Sequence, residues 1–197
     1  MAFVTASISV SADGFVAGKN QAADKPLGDS PAIDLHRWMF ETPEENRAEI
    51  AANTDADAYI MGRNMFGPIR GAWDLSWTGW WGDEPPYHKP VFVLTHHPRE
   101  DLPMAGGTTF HFVTGGIHEA FERARTATGD GRIAIAGGAS TVNQYLAAGL
   151  IDQLTLNVAP LMLGAGERLF DGVPPLKLEQ ISSRAASLAT HITYRLR

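Results

Sequence analysis

The chain has 197 residues, 44% of them apolar and 19% charged, a globular composition with length for one sizeable core and too little for two. Its 16 Lys and Arg against 22 Asp and Glu leave a formal charge of -6, and without any basic block this argues against nucleic acid or an anionic membrane as partner. It has no cysteine, which removes disulfides, thiolate nucleophiles, iron–sulfur ligation and cysteine-containing zinc sites. No apolar run approaches the roughly 20 residues of a membrane span, and no basic region leads into an apolar stretch at the N-terminus. The expectation is one cytoplasmic domain over residues 1–197.

Phe3 to Val10 reads as a strand closed by the turn signal Ala12-Asp13-Gly14. A polar loop over 18–29 precedes a helix from about Ile33, with Leu35, Trp38 and Met39 on one face, and Glu44 to Ala52 resumes the pattern beyond Pro43. Ala58 to Met61 has the form of a buried strand. The irregular stretch from Trp73 to Pro90 holds four of the five tryptophans. Strands follow at 90–95 and 108–113, then a helix from Gly116 to Thr126, a strand from Arg132 to Ala136 and a helix from Ser140 to Leu150. Beyond Gln153 only strands are expected, at 154–158, 176–182 and 188–196, and Gly164-Ala165-Gly166 reads as a hairpin feature between them. Strands alternating with helices and then closing with hairpins predict an α/β fold: a mostly parallel central sheet, flanking helices and antiparallel C-terminal edge strands.

Three strand ends carry complementary chemistry. In Ile133-Ala134-Ile135-Ala136-Gly137-Gly138-Ala139-Ser140-Thr141 a strand runs through a diglycine straight into a helix, with Ser140 placed as N-cap. The free N–H groups of that first turn suit an anion such as a pyrophosphate, although a tight turn with no ligand would read the same way. Arg63 follows Gly62 at the end of a second buried strand, the end at which ligands of open α/β sheets sit. A third strand ends in Thr95-His96-His97. None of the seven histidines makes a metal-ligand spacing, so no metal is expected. Trp73, Trp77, Trp80 and Trp81 either cover the edge of the core or a subunit interface, or wall a planar substrate.

Taken together, these segments resemble the dihydrofolate reductase-like superfamily, and within it the reductase domain of the bifunctional deaminase-reductases of riboflavin biosynthesis and their stand-alone relatives. The resemblance rests on Ser11-Ala12-Asp13-Gly14-Phe15-Val16-Ala17, on Ile60-Met61-Gly62-Arg63-Asn64-Met65-Phe66, on Ala136-Gly137-Gly138-Ala139-Ser140, and on Leu161 to Gly166 with Leu169-Phe170. It implies NADPH as cofactor. The Gly-Arg turn implies phosphate contacts at Gly62, Arg63, Asn64 and Met65, and the diglycine loop a pyrophosphate cradle at Gly137, Gly138, Ala139, Ser140 and Thr141. Thr95 and His96 would meet the adenosine half, and Ala17 would also face the cofactor. Asn64-Met65 departs from the usual small hydroxyl-bearing pair, and His96-His97 stands where serine or arginine is common.

On the substrate side the resemblance implies Asp34 as the carboxylate that assists protonation, with Asp13, Trp38 and Trp81 as substrate contacts. Asp34 would equally favour a helix N-terminus electrostatically. The deaminase half has neither the length nor the cysteines it needs. The expected activity is NADPH-dependent hydride transfer to a C=N or C=O bond of a small cyclic substrate, in a homodimer. A true dihydrofolate reductase and a relative that binds a nucleotide or flavin without turnover are the alternatives.

Overall fold

The computed structural model describes residues 2–29, 31–67 and 70–197. In chain order its elements are β1 (Phe3–Ser11), β2 (Phe15–Ala17), a 3-10 turn (Ala32–His36) running into α1 (Arg37–Phe40), α2 (Arg47–Ala52), β3 (Ala58–Gly62), α3 (Arg63–Phe66), β4 (Pro90–Leu94), β5 (Leu102–Pro103), a second 3-10 turn (Ala105–Gly107) and β6 (Thr109–Val113). They continue with α4 (Gly116–Thr128), β7 (Arg132–Gly137), α5 (Ala139–Ala147), β8 (Gln153–Ala159), β9 (Glu167–Arg168), β10 (Leu178–Ala185) and β11 (Thr190–Leu196). Nine strands form one sheet in the order β10-β11-β8-β1-β7-β3-β4-β6-β5. The pairs β8–β1, β1–β7, β7–β3, β3–β4 and β4–β6 are parallel, and β10–β11, β11–β8 and β5–β6 are antiparallel. The expected mostly parallel sheet with antiparallel C-terminal strands is the sheet observed.

Because alternate residues of a strand face opposite sides, the central strands feed two cores. Ala58, Ile60, Phe92, Ile133 and Ile135 pack with Ala120 and Ala124 of α4 and Val142 and Leu146 of α5. Tyr59, Met61, Val91, Val93, Phe110 and Phe112 form the other core with Phe66, and Trp73, Trp77 and Trp81 lie over it. α5 ends in a Schellman arrangement: Leu150 N–H bonds Tyr145 O, Gly149 N–H bonds Leu146 O, and Gly149 takes φ +66°.

Three expectations need correction. The segment from Gly164 to Gly166 is no hairpin between C-terminal strands. It leads into β9, which pairs with β2 in a separate two-stranded sheet, and a Cβ at Gly166 would collide with the Ala17 carbonyl oxygen. Ser140 does not cap α5: the helix begins at Ala139, with Gly138 in the N-cap position and no side-chain cap. The stretch expected as one helix from Ile33 begins as a 3-10 turn and becomes α-helical only at Arg37.

Candidate cofactor and substrate site

Strands β7, β3 and β4 are adjacent and parallel, with Met61 opposite Gly137 and Gly62 opposite Leu94. Their C-terminal ends therefore lie side by side, and the three polar strand ends read from the sequence become one surface. Gly137 has φ +114°, a conformation closed to most side chains, and is joined to Gly138 by a cis peptide bond. Gly138 has φ −77°, and a Cβ built there meets nothing within 4 Å. Open space thus lies before the uncapped first turn of α5, where free N–H groups and the helix dipole favour an anion. Gly62 is required for another reason: a Cβ there would stand 2.5 Å from Thr141 Oγ1 and 3.7 Å from Gly138 N. This close approach brings the start of α3 against the start of α5.

Arg63 begins α3, its guanidinium 4.0 Å above the Trp73 ring. Its Nε is buried with no hydrogen-bond partner among the described residues, and its Nη2 donates to the Ala72 carbonyl at 3.5 Å. Burial, and secondarily the charge of Arg70, lower its pKa. Among the described residues no carboxylate pairs with it. An arginine so placed is left wanting an anion, as a phosphate-binding group should be. Arg70 donates to Asn64 Oδ1 at 3.2 Å, and Asn64 Nδ2 donates to Gln21 Oε1 at 3.4 Å. The Met65 side chain packs into the aromatic core, so any contact it gives a phosphate comes from its backbone. Thr95 is buried, its hydroxyl closing a turn with the backbone of His97, while the side chain of His96 is exposed.

Asp13 accepts hydrogen bonds from Ser11 Oγ at 2.6 Å and from the N–H groups of Leu163 and Gly164. The Ser11 hydroxyl first, then those N–H groups, hold its carboxyl down at about 2. It clamps the β1–β2 turn to the 161–164 segment, and both its oxygens are used in doing so. Trp38 is 1% exposed, with its indole N–H donated to Ser9 Oγ. It is a core residue and presents no wall to a substrate. Trp81 stacks on Phe110 at 5.8 Å, and the Trp77 indole N–H bonds the Phe66 carbonyl. Trp73, Trp77 and Trp81 thus cover the edge of the core while staying partly exposed. Ala17 is buried in β2. Asp34 is half-buried in the first 3-10 turn, and its carboxylate makes no hydrogen bond among the described residues.

Two features escaped the sequence reading. Trp73, placed above only within the loop, is the platform beneath Arg63. His36 is a mostly buried imidazole whose Nδ1 has no partner and whose pKa burial pushes down to about 4. The only sequence signal for either was an apolar neighbourhood. Among the described residues no cluster of three or more His, Asp or Glu side chains could hold a metal, and no helix is long and apolar enough to cross a membrane.

The parallel sheet, the diglycine turn into α5 and the arginine at the neighbouring strand end define the dihydrofolate reductase-like class of α/β proteins. Within it, this chain belongs to the RibD C-terminal domain family, whose profile matches residues 2–192. A protein of Shewanella sp. PV-4 assigned to riboflavin biosynthesis has 26% identity and a TM-score of 0.70, with 100% of this chain and 99% of that one covered. RibD of Acinetobacter baumannii is 15% identical with a TM-score of 0.61, and the match covers 100% of this chain and 58% of that longer one. Dihydrofolate reductase of Enterococcus faecalis, solved with NADP(H), is 14% identical with a TM-score of 0.59 over 99% and 96% of the two chains. The Bacillus subtilis protein YyaP is 24% identical over 191 residues, 91% of this chain and 87% of that protein.

Proposed function

We propose that the protein is an NADPH-dependent reductase that delivers hydride to a C=N or C=O bond of a small cyclic substrate of pterin or pyrimidine type. The observation that carries this reading is Arg63: among the described residues its buried Nε has no partner and no carboxylate pairs with it, and it lies one strand away from the open space before α5. These groups fit a dinucleotide, since the uncapped turn at Gly138 to Thr141 suits a pyrophosphate and Arg63 a further phosphate. When bound, the nicotinamide supplies the hydride. The chain's own part is to orient that ring and exclude water from the reacting atoms. We assign proton delivery to Asp34, whose carboxylate makes no hydrogen bond among the described residues.

The reading is tested by calorimetric titration with NADPH. Arg63→Ala should weaken binding by about 1.5–3 kcal/mol, the range for a hydrogen bond to a charged group. A folded variant that binds NADPH as tightly as the wild type overturns the phosphate role. Following NADPH oxidation against pterins, folates and ribosylaminopyrimidines then identifies the substrate class, and no oxidation with any of them would favour a binding protein without turnover. We also propose a homodimer, supported by the exposed apolar residues Leu176, Leu178 and Ile181 at the outermost strand. Sedimentation velocity at micromolar concentration reads the state directly, and a monomer there removes this proposal.

A further inference from the structure

We propose that Trp73 is the positioning residue of the anion site, holding Arg63 in its binding orientation and joining it to the end of β4. The proposal rests on the reading above that Arg63 meets a cofactor phosphate. The Arg63 guanidinium lies 4.0 Å from the indole, while the indole N–H donates to the His97 carbonyl at 2.8 Å. That carbonyl belongs to the turn closed by Thr95 Oγ1. One side chain therefore touches both strand ends that the reading assigns to phosphate and adenosine.

Trp73 is itself braced. Its ring meets Phe66 edge-on at 5.7 Å and Phe112 at 5.1 Å. The guanidinium of Arg99 lies 5.5 Å from the same ring and 5.0 Å from Phe112, with Nη2 donating to the Leu75 carbonyl. A guanidinium over an indole gains from the ring's negative face without using up its N–H donors, since the contact is made through the π-systems. An arginine held in place beforehand loses less side-chain freedom when the anion arrives. Trp73 thus acts on affinity through Arg63 without touching the reacting atoms.

Trp73→Leu should raise the dissociation constant for NADPH by about 3- to 20-fold, the range of one cation–π contact, and raise KM for NADPH with kcat nearly unchanged. Trp73→Phe keeps a ring face and should stay within about threefold of wild type. In an Arg63→Ala background the Trp73→Leu effect should vanish, because the group it acts through is gone. A general structural role predicts the same weakening in both backgrounds, and that result overturns the proposal. So does a folded Trp73→Leu protein with wild-type affinity, and should Trp73→Leu not fold, Trp73→Met, which also lacks a ring face, takes its place in both backgrounds with the same expectation. The Arg63 Nε–H resonance gives a readout that needs no cofactor: it should be ring-current shifted and protected from exchange in the wild type, and lose both features in Trp73→Leu. If the wild type binds no NADPH, the reductase reading fails, and this resonance alone decides whether Trp73 holds the guanidinium.

Discussion

At the scale of single residues, the unpaired groups matter most, because a buried polar atom without a partner carries a desolvation cost that something must justify. For Arg63 Nε the proposed anion would supply that justification, whereas His36 Nδ1 has only its neutral form to fall back on. With its pKa pushed down to about 4 in the fold against about 6.5 for a free imidazole, His36 stays neutral in the folded protein while the unfolded chain gains a proton. Its contribution to stability is therefore complete above about pH 6.5 and is lost as pH falls toward 4, on the order of 2–3 kcal/mol across that window. Urea denaturation of wild type and His36→Leu at pH 7.5 and 4.5 measures this. The variant should lose less stability between the two pH values, and equal losses would show that burial does not hold this imidazole neutral. Asp34→Asn belongs to the same scale. It should lower turnover at saturating NADPH while leaving NADPH affinity nearly unchanged, and a rate-limiting chemical step unaffected by the change would return Asp34 to a merely electrostatic role.

At the scale of elements, α5 shows how three glycines near one helix do different work. Gly138 has an ordinary φ and open space at its Cβ position, so Gly138→Val should abolish measurable NADPH binding while thermal stability without cofactor changes little. Gly137 has φ +114°, and Gly137→Ala should cost roughly 1–3 kcal/mol of stability as well. Gly149, at φ +66° beyond the other end of the helix, should cost about 1–2 kcal/mol as alanine and leave binding alone. Melting curves paired with NADPH titration separate the three. Tight binding by folded Gly138→Val would reduce the loop to an ordinary turn.

At the scale of the whole molecule, the Asp13 clamp joins segments 150 residues apart in sequence, tying the β1–β2 turn to the stretch before β9. Asp13→Ala should speed amide exchange at Leu163 and Gly164 while the β1 and β7 amides stay protected, and unchanged exchange would mean that β2–β9 pairing alone holds the segment. The order of the long strands and of α4 and α5, the burial of β3 and the glycines at the strand ends were legible in the sequence, because apolar patterning and turn chemistry are local, whereas the short β2, β5, β9 and α3 were not. The place of Arg63 at the end of a buried strand was legible too, since a Gly-Arg pair there is a local pattern; its phosphate contact remains a proposal. What tertiary structure decided was every pairing across distance. Trp73 went beneath Arg63, Asp13 took the amides at 163 and 164, Trp38 turned inward to Ser9, and Gly166 met Ala17 instead of turning a hairpin. Each of those side chains has several chemically satisfactory partners along the chain, and only the packed sheet, by bringing one of them within a few ångströms, selects among them.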